Sequence, residues 1–176
     1  MSKRLFCAAL AALAPASAGA HVVLTPGEAS PGGYYAGMLR ISHGCAGSPT
    51  VAVRVSLPPG VLTAKPQPKP GWTLTVVREP LAAPVPTEGG GVQRDRVAAI
   101  TWRGRLPDDQ FDTFGVSFKA PPAAGPLYLP TVQTCASGEN RWTDIPAAGQ
   151  AWSSVPHPAP VLTLGGPEPA AAPHHH

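Results

Sequence analysis

Short apolar segments alternate with turn residues along almost the whole chain. In TVAVRVSL (50–57), every second residue from Val51 to Leu57 is apolar, which is the two-residue period of a half-buried β-strand. Comparable segments, separated by proline and glycine, cover residues 21–25, 34–42, 50–57, 71–78, 96–102, 113–120, 127–134, 140–145 and 159–164. The pattern predicts an all-β domain, an immunoglobulin-like or cupredoxin-like β-sandwich of about eight or nine short antiparallel strands.

Two stretches depart from this pattern. Residues 79–95, EPLAAPVPTEGGGVQRD, are rich in proline and glycine, which predicts a loop between two strands. From Gly165 the sequence GGPEPAAAPHHH is of low complexity, and it predicts a disordered tail over 165–176. The last three residues, His174 to His176, are interpreted either as an inert end or as a tract that scavenges metal.

Composition excludes several classes of protein. The chain has 24 prolines and 19 glycines, so it is interrupted too often for long helices. Apolar residues make up 43% and charged residues 13%, which favours a folded domain over disorder. The formal charge is only +3 and the basic residues are scattered, so a nucleic-acid-binding face is not expected.

The first twenty residues, MSKRLFCAALAALAPASAGA, have the three parts of a secretory signal peptide. Lys3 and Arg4 form the basic region, an apolar run of about ten residues follows, and small residues end at Ala20 as an A-x-A cleavage site. The run is too short for a membrane span, which needs about 20 apolar residues. We therefore predict a signal peptide over 1–20, a domain over 21–164, no membrane anchor, and a periplasmic or otherwise extracytoplasmic location.

Removal of the leader leaves two cysteines, Cys45 and Cys135. A single pair in an exported protein is most often a disulfide. Closing a loop of about 90 residues contributes roughly 4 kcal/mol in the chain-entropy treatment. The alternative interpretation is a pair of thiolate ligands for a soft metal.

Cleavage after Ala20 also creates a free α-amine on His21. The amine and the Nδ1 atom of the same side chain can close a six-membered chelate on one metal ion. Cu(II) is suited to two nitrogen donors, because it tops the divalent affinity series and favours tetragonal nitrogen and oxygen sites. The alternative for His21 is an ordinary exposed histidine at the end of a strand.

Three motifs, HVVLTP (21–26), PKPGW (68–72) and RWTDIPA (141–147), are jointly specific. With the segments around them, they make residues 21 to about 158 similar to the YcnI-like (DUF1775) family of exported copper-binding proteins. The resemblance implies a β-sandwich that holds one Cu(II) by a monohistidine brace beside a tryptophan. It assigns the brace to His21 and the tryptophan to Trp142.

A further ligand is less well defined by the sequence. Some family members have a carboxylate after the second strand, where this chain reads ISHGC, so the expected substitute is His43, with Glu28 and Asp144 as alternatives. A disulfide at Cys45 would draw His43 towards the segment that leads to Trp142. The simpler interpretation of His43 is a strand-end histidine bonded to a backbone carbonyl.

No catalytic constellation is present: the sequence has no phosphate-binding glycine loop and no nucleophile elbow. We therefore expect a non-enzymatic protein of copper trafficking or homeostasis, with the copper ion and another envelope copper protein or importer as partners. One alternative is a metal-free, disulfide-stapled interaction module. Another is an oxidative copper enzyme of the brace type, which would need a second imidazole. His157, in VPHPAP, is interpreted as a solvent-facing loop residue.

Overall fold

The computed structural model describes residues 21–87 and 89–165, and these residues form twelve strands and one short 3-10 helix, Trp152–Ser154. The strands are β1 (Val23–Thr25), β2 (Glu28–Ala29), β3 (Tyr34–Ile41), β4 (Thr50–Ser56), β5 (Ala64–Pro66), β6 (Thr73–Pro86), β7 (Val92–Leu106), β8 (Asp112–Lys119), β9 (Gly125–Tyr128), β10 (Thr131–Cys135), β11 (Glu139–Trp142) and β12 (Val161–Leu164). The predicted signal peptide, and the predicted tail beyond residue 165, lie outside the described residues.

Two sheets form the sandwich. One has the strand order β1-β3-β8-β5, and the other has the order β11-β10-β4-β7-β6. A small third sheet, β2-β12-β9, contains the parallel pair β12 and β2, whereas the pairings within the two large sheets are antiparallel. The predicted all-β, immunoglobulin-like sandwich is confirmed, with more strands than the eight or nine expected.

The core lies between the two large sheets, where buried side chains from both sheets form one cluster. In β3, buried and exposed residues alternate without a break from Tyr34 to Ile41. The buried side chains of β3 and β8 face those of β4 and β7, and they include Leu39, Phe114, Val53 and Trp102, each 0% exposed. The Trp102 indole also donates a hydrogen bond to the Gln67 carbonyl, at 3.1 Å, so its polar atom is satisfied inside the core.

The predicted loop over 79–95 is wrong. β6 continues to Pro86 and β7 begins at Val92, so most of the segment is a long hairpin with irregular pairing between Pro80 and Val85. Its prolines are tolerated because β6 is the outermost strand of its sheet and pairs with a neighbour on one side only. A proline there, which lacks an N–H, can face the open side without removing an inter-strand hydrogen bond.

The predicted disulfide between Cys45 and Cys135 is confirmed. It joins the turn after β3 to the end of β10, and therefore links the two large sheets at one end of the sandwich. Within residues 21–87 and 89–165 there is no helix with the length and hydropathy needed to span a bilayer.

Candidate metal centre

His21 and Trp142 meet at one side of the sandwich. Val22 lies between His21 and β1, an edge strand, and it is only 2% exposed, so the chain is anchored in the core immediately before the strand begins. Trp142 is the last residue of β11, the edge strand of the other sheet. The imidazole of His21 and the indole of Trp142 lie with their centroids 5.6 Å apart and their planes at 67°.

A second indole, that of Trp152, also contacts His21. The two ring centroids are 5.1 Å apart and the planes meet at 63°. Trp152 opens the short 3-10 helix, and its Nε1 atom donates a hydrogen bond of 2.7 Å to the Ala159 carbonyl. That bond fixes the side chain, so the half-buried imidazole of His21 contacts two oriented indoles.

Gln133 is a buried polar residue that connects this site with the disulfide-bonded end of the sandwich. Its side chain is on β10 and the residue is 1% exposed. Nε2 donates to the His43 carbonyl at 2.6 Å and to the Thr50 hydroxyl at 2.7 Å. Oε1 accepts longer hydrogen bonds, from Asn140 Nδ2 at 3.3 Å and from Trp142 Nε1 at 3.4 Å. Gln133 therefore helps to orient Trp142.

The three candidates for a further ligand occupy different positions. The Nδ1 atom of His43 lies 2.6 Å from the Gly44 carbonyl, so this nitrogen is engaged with the backbone. Glu28 lies in β2, beside Thr163 of β12, in a different sheet from the strand that follows His21. Asp144 accepts a hydrogen bond of 3.0 Å from the backbone N–H of His157.

His157 is exposed, as expected, but its ring is not isolated. Its imidazole lies 5.8 Å from the indole of Trp142, with the planes at 77°. The same indole thus contacts two imidazoles, those of His21 and His157.

The described part of the chain contains no group of three or more His, Cys, Asp or Glu residues that could hold a metal ion. A conventional site built from side chains alone is therefore not supported. A brace requires fewer ligating residues, because one residue supplies both an amine and an imidazole. The imidazole of His21 fits that role, since it has no hydrogen-bond partner among the described residues and its contacts are two aromatic rings.

Sequence reasoning missed Trp152 and Gln133 at this site, and it did not place His157 against Trp142. Trp152 lies in AGQAWSSVP, outside any alternating segment. A tryptophan in such a segment indicates that the segment packs against the rest of the domain. Gln133 had no such signal, because a glutamine within LYLPTVQT is indistinguishable from a solvent-facing strand residue until the partners of its side chain are known.

One solved structure supports the fold. An uncharacterized protein from Nocardia farcinica, described as having an immunoglobulin-like fold, shares 32% identity with a TM-score of 0.60, and the match covers 82% of this chain and 97% of that one. A Corynebacterium diphtheriae protein described as membrane anchored matches at 8% identity and a TM-score of 0.38, over 82% of this chain and 32% of that one. No curated protein matches the chain. Residues 21–164 match the profile of a domain of unknown function, DUF1775, and the chain therefore belongs to that family.

Proposed function

We propose that this protein is exported, loses residues 1–20, and binds one Cu(II) through the amine and imidazole of His21. The observation that carries the proposal is the setting of that imidazole. It has no hydrogen-bond partner among the described residues, and it contacts the indoles of Trp142 and Trp152 at centroid distances of 5.6 and 5.1 Å. The resemblance to exported copper-binding proteins and the A-x-A sequence before His21 support the same conclusion.

The surrounding residues would serve the cargo ion in distinct ways. Cu(II) takes nitrogen donors in tetragonal sites, and one residue with an amine and a ring nitrogen provides two of them. Trp142 and Trp152 limit the rotamers of the His21 ring and exclude water from part of its surface. The buried bonds of Gln133 limit the movement of Trp142 in turn.

This arrangement favours binding over catalysis. Two indoles beside His21 restrict the approach of a large substrate to an ion held there. We therefore propose a role in copper trafficking or homeostasis outside the cytoplasm, with transfer of the ion to another envelope copper protein or importer.

The test compares two forms of the protein that differ only at the N-terminal nitrogen. The first form begins at His21 with a free α-amine, and the second begins at His21 with that amine acetylated, so that its nitrogen is an amide. Competition titration with a Cu(II) chelator and EPR spectroscopy should show one tight, nitrogen-rich site in the first form only. A His21→Gln variant of the first form is the matched control and should also lose the tight site. Equal affinity in the free-amine and acetylated forms would refute the proposal.

A further inference from the structure

The imidazole of His157 shares an aromatic partner with that of His21. Both rings make T-shaped contacts with the indole of Trp142, at centroid distances of 5.8 Å for His157 and 5.6 Å for His21. The His157 side chain is exposed, and neither of its ring nitrogens has a hydrogen-bond partner in residues 21–87 or 89–165. It is therefore a nitrogen donor with no hydrogen-bond partner in those ranges, and it contacts the same indole as His21.

The backbone of His157 is held in place. Its N–H donates to Asp144 Oδ2 at 3.0 Å, and its carbonyl accepts from the Asp144 N–H, also at 3.0 Å. The Ala159 N–H donates to the Asp144 carbonyl at 2.8 Å. Because Asp144 follows Trp142 by two residues, these bonds keep His157 beside the indole. The flanking prolines, Pro156 and Pro158, restrict the backbone further.

The other donors considered from sequence are less suitable. The Nδ1 atom of His43 is engaged with the Gly44 carbonyl at 2.6 Å, and its ring makes no aromatic contact within the described ranges. The Asp144 carboxylate accepts from the His157 backbone. Of the three histidines that the structure describes, only His21 and His157 contact the Trp142 indole.

We propose that His157 supplies a further nitrogen ligand to the ion bound at His21, a proposal that rests on the copper function proposed above. The donor set would then be one amine and two imidazoles, which suits Cu(II) and its preference for nitrogen. This set comes from two residues, so it agrees with the absence of a three-residue cluster in the described part of the chain. It also assigns to His157 the place that sequence reasoning gave to His43.

The experiment uses the protein that begins at His21, with His157→Gln and His43→Gln as a matched pair of variants. Each is loaded with one equivalent of Cu(II), and pulsed EPR then counts the imidazoles coupled to the ion. The unsubstituted protein and His43→Gln should both show two coupled imidazoles, and His157→Gln should show one. Cu(II) affinity should fall roughly tenfold or more in His157→Gln alone, since loss of a direct ligand should cost at least as much as loss of an outer-shell partner.

The results separate this inference from the proposed function. If the unsubstituted protein binds Cu(II) tightly but His157→Gln gives the same spectrum and affinity, the role of His157 is refuted and the brace at His21 stands. Loss of one imidazole in His43→Gln instead would assign the ligand to His43 and also refute the inference. If the unsubstituted protein has no tight site, both proposals fail. Because the His157 side chain is exposed, His157→Gln should fold normally, which its thermal midpoint will show.

Discussion

Replacing Gln133 with leucine removes the side-chain amide that links the disulfide-bonded end of the sandwich to Trp142. The change keeps a side chain of similar size at a position that is 1% exposed. It deletes two short hydrogen bonds, to the His43 carbonyl at 2.6 Å and the Thr50 hydroxyl at 2.7 Å. It also removes the acceptor that lies 3.4 Å from the Trp142 indole nitrogen.

The magnitude follows from those contacts. Each short hydrogen bond contributes about 1 kcal/mol net, and a buried polar group left without a partner costs about 1–3 kcal/mol. The hydroxyl of Thr50, a residue that is 0% exposed, keeps only a weak contact of 3.9 Å with the Cys135 sulfur. Burial of the leucine side chain offsets part of this loss. We expect the free energy of unfolding of Gln133→Leu to fall by about 2–4 kcal/mol.

Urea or guanidinium unfolding, followed by tryptophan fluorescence with the disulfide intact, measures this difference. Gln110→Leu is the matched control, because the Gln110 side chain is exposed and makes no hydrogen bond within the described residues. The control should stay within about 0.5 kcal/mol of the unsubstituted protein. A loss below about 1 kcal/mol for Gln133→Leu would refute the view that Gln133 is a buried polar link.

Three further predictions concern other parts of the molecule. Burial raises the pKa of Tyr35 from 10.0 to about 12, so between these pH values the folded state keeps a proton that the unfolded state loses. The free energy of unfolding should therefore fall between pH 10 and 12 by about 1.4 kcal/mol per pH unit. Unfolding measured over this pH range should lack that decrease in Tyr35→Phe. Replacing Cys45 and Cys135 with serine should lower the free energy of unfolding by about 2–5 kcal/mol, measured by denaturant titration, because the 90-residue separation is no longer closed in the unfolded chain. Cu(II) bound at the proposed site should quench tryptophan emission. Trp152→Phe should reduce the quenched fraction more than Trp72→Phe, because the Trp152 ring contacts His21 whereas the Trp72 ring packs on Phe114, at a centroid distance of 4.9 Å.

The sandwich could be predicted from sequence where each strand has one buried face. The segment 34–42 predicts a strand by alternation, and β3 runs from Tyr34 to Ile41 with that alternation intact. The long hairpin could not be predicted, because the prolines and glycines of 79–95 are also typical of a loop. Edge strands accept such residues, but a position at the edge is a property of the assembled sheet.

The candidate site was predictable only in part. His21 and Trp142 followed from the cleavage motif and the family resemblance, and the structure places their rings 5.6 Å apart. Trp152 and His157 reach the site through backbone pairing between the segments after β11 and before β12. That pairing joins Asp144 to residues 13 to 15 positions further along the chain, and no strand periodicity lies between them, so the alternation of apolar residues did not indicate it.

The outer position of β6 has a consequence for self-association. Other edge strands of the large sheets are short, with three residues in β1 and β5 and four in β11, whereas β6 is an exposed edge of 14 residues. A long open edge can template the addition of a strand from a second molecule. Pro80, Pro84 and Pro86 each remove a backbone donor from β6, and the ion pairs of Arg78 with Asp95 and Arg96 with Glu79 place charge along the hairpin. These residues make edge-to-edge polymerisation unfavourable, so the composition that resembled a loop in the sequence protects the folded molecule from aggregation.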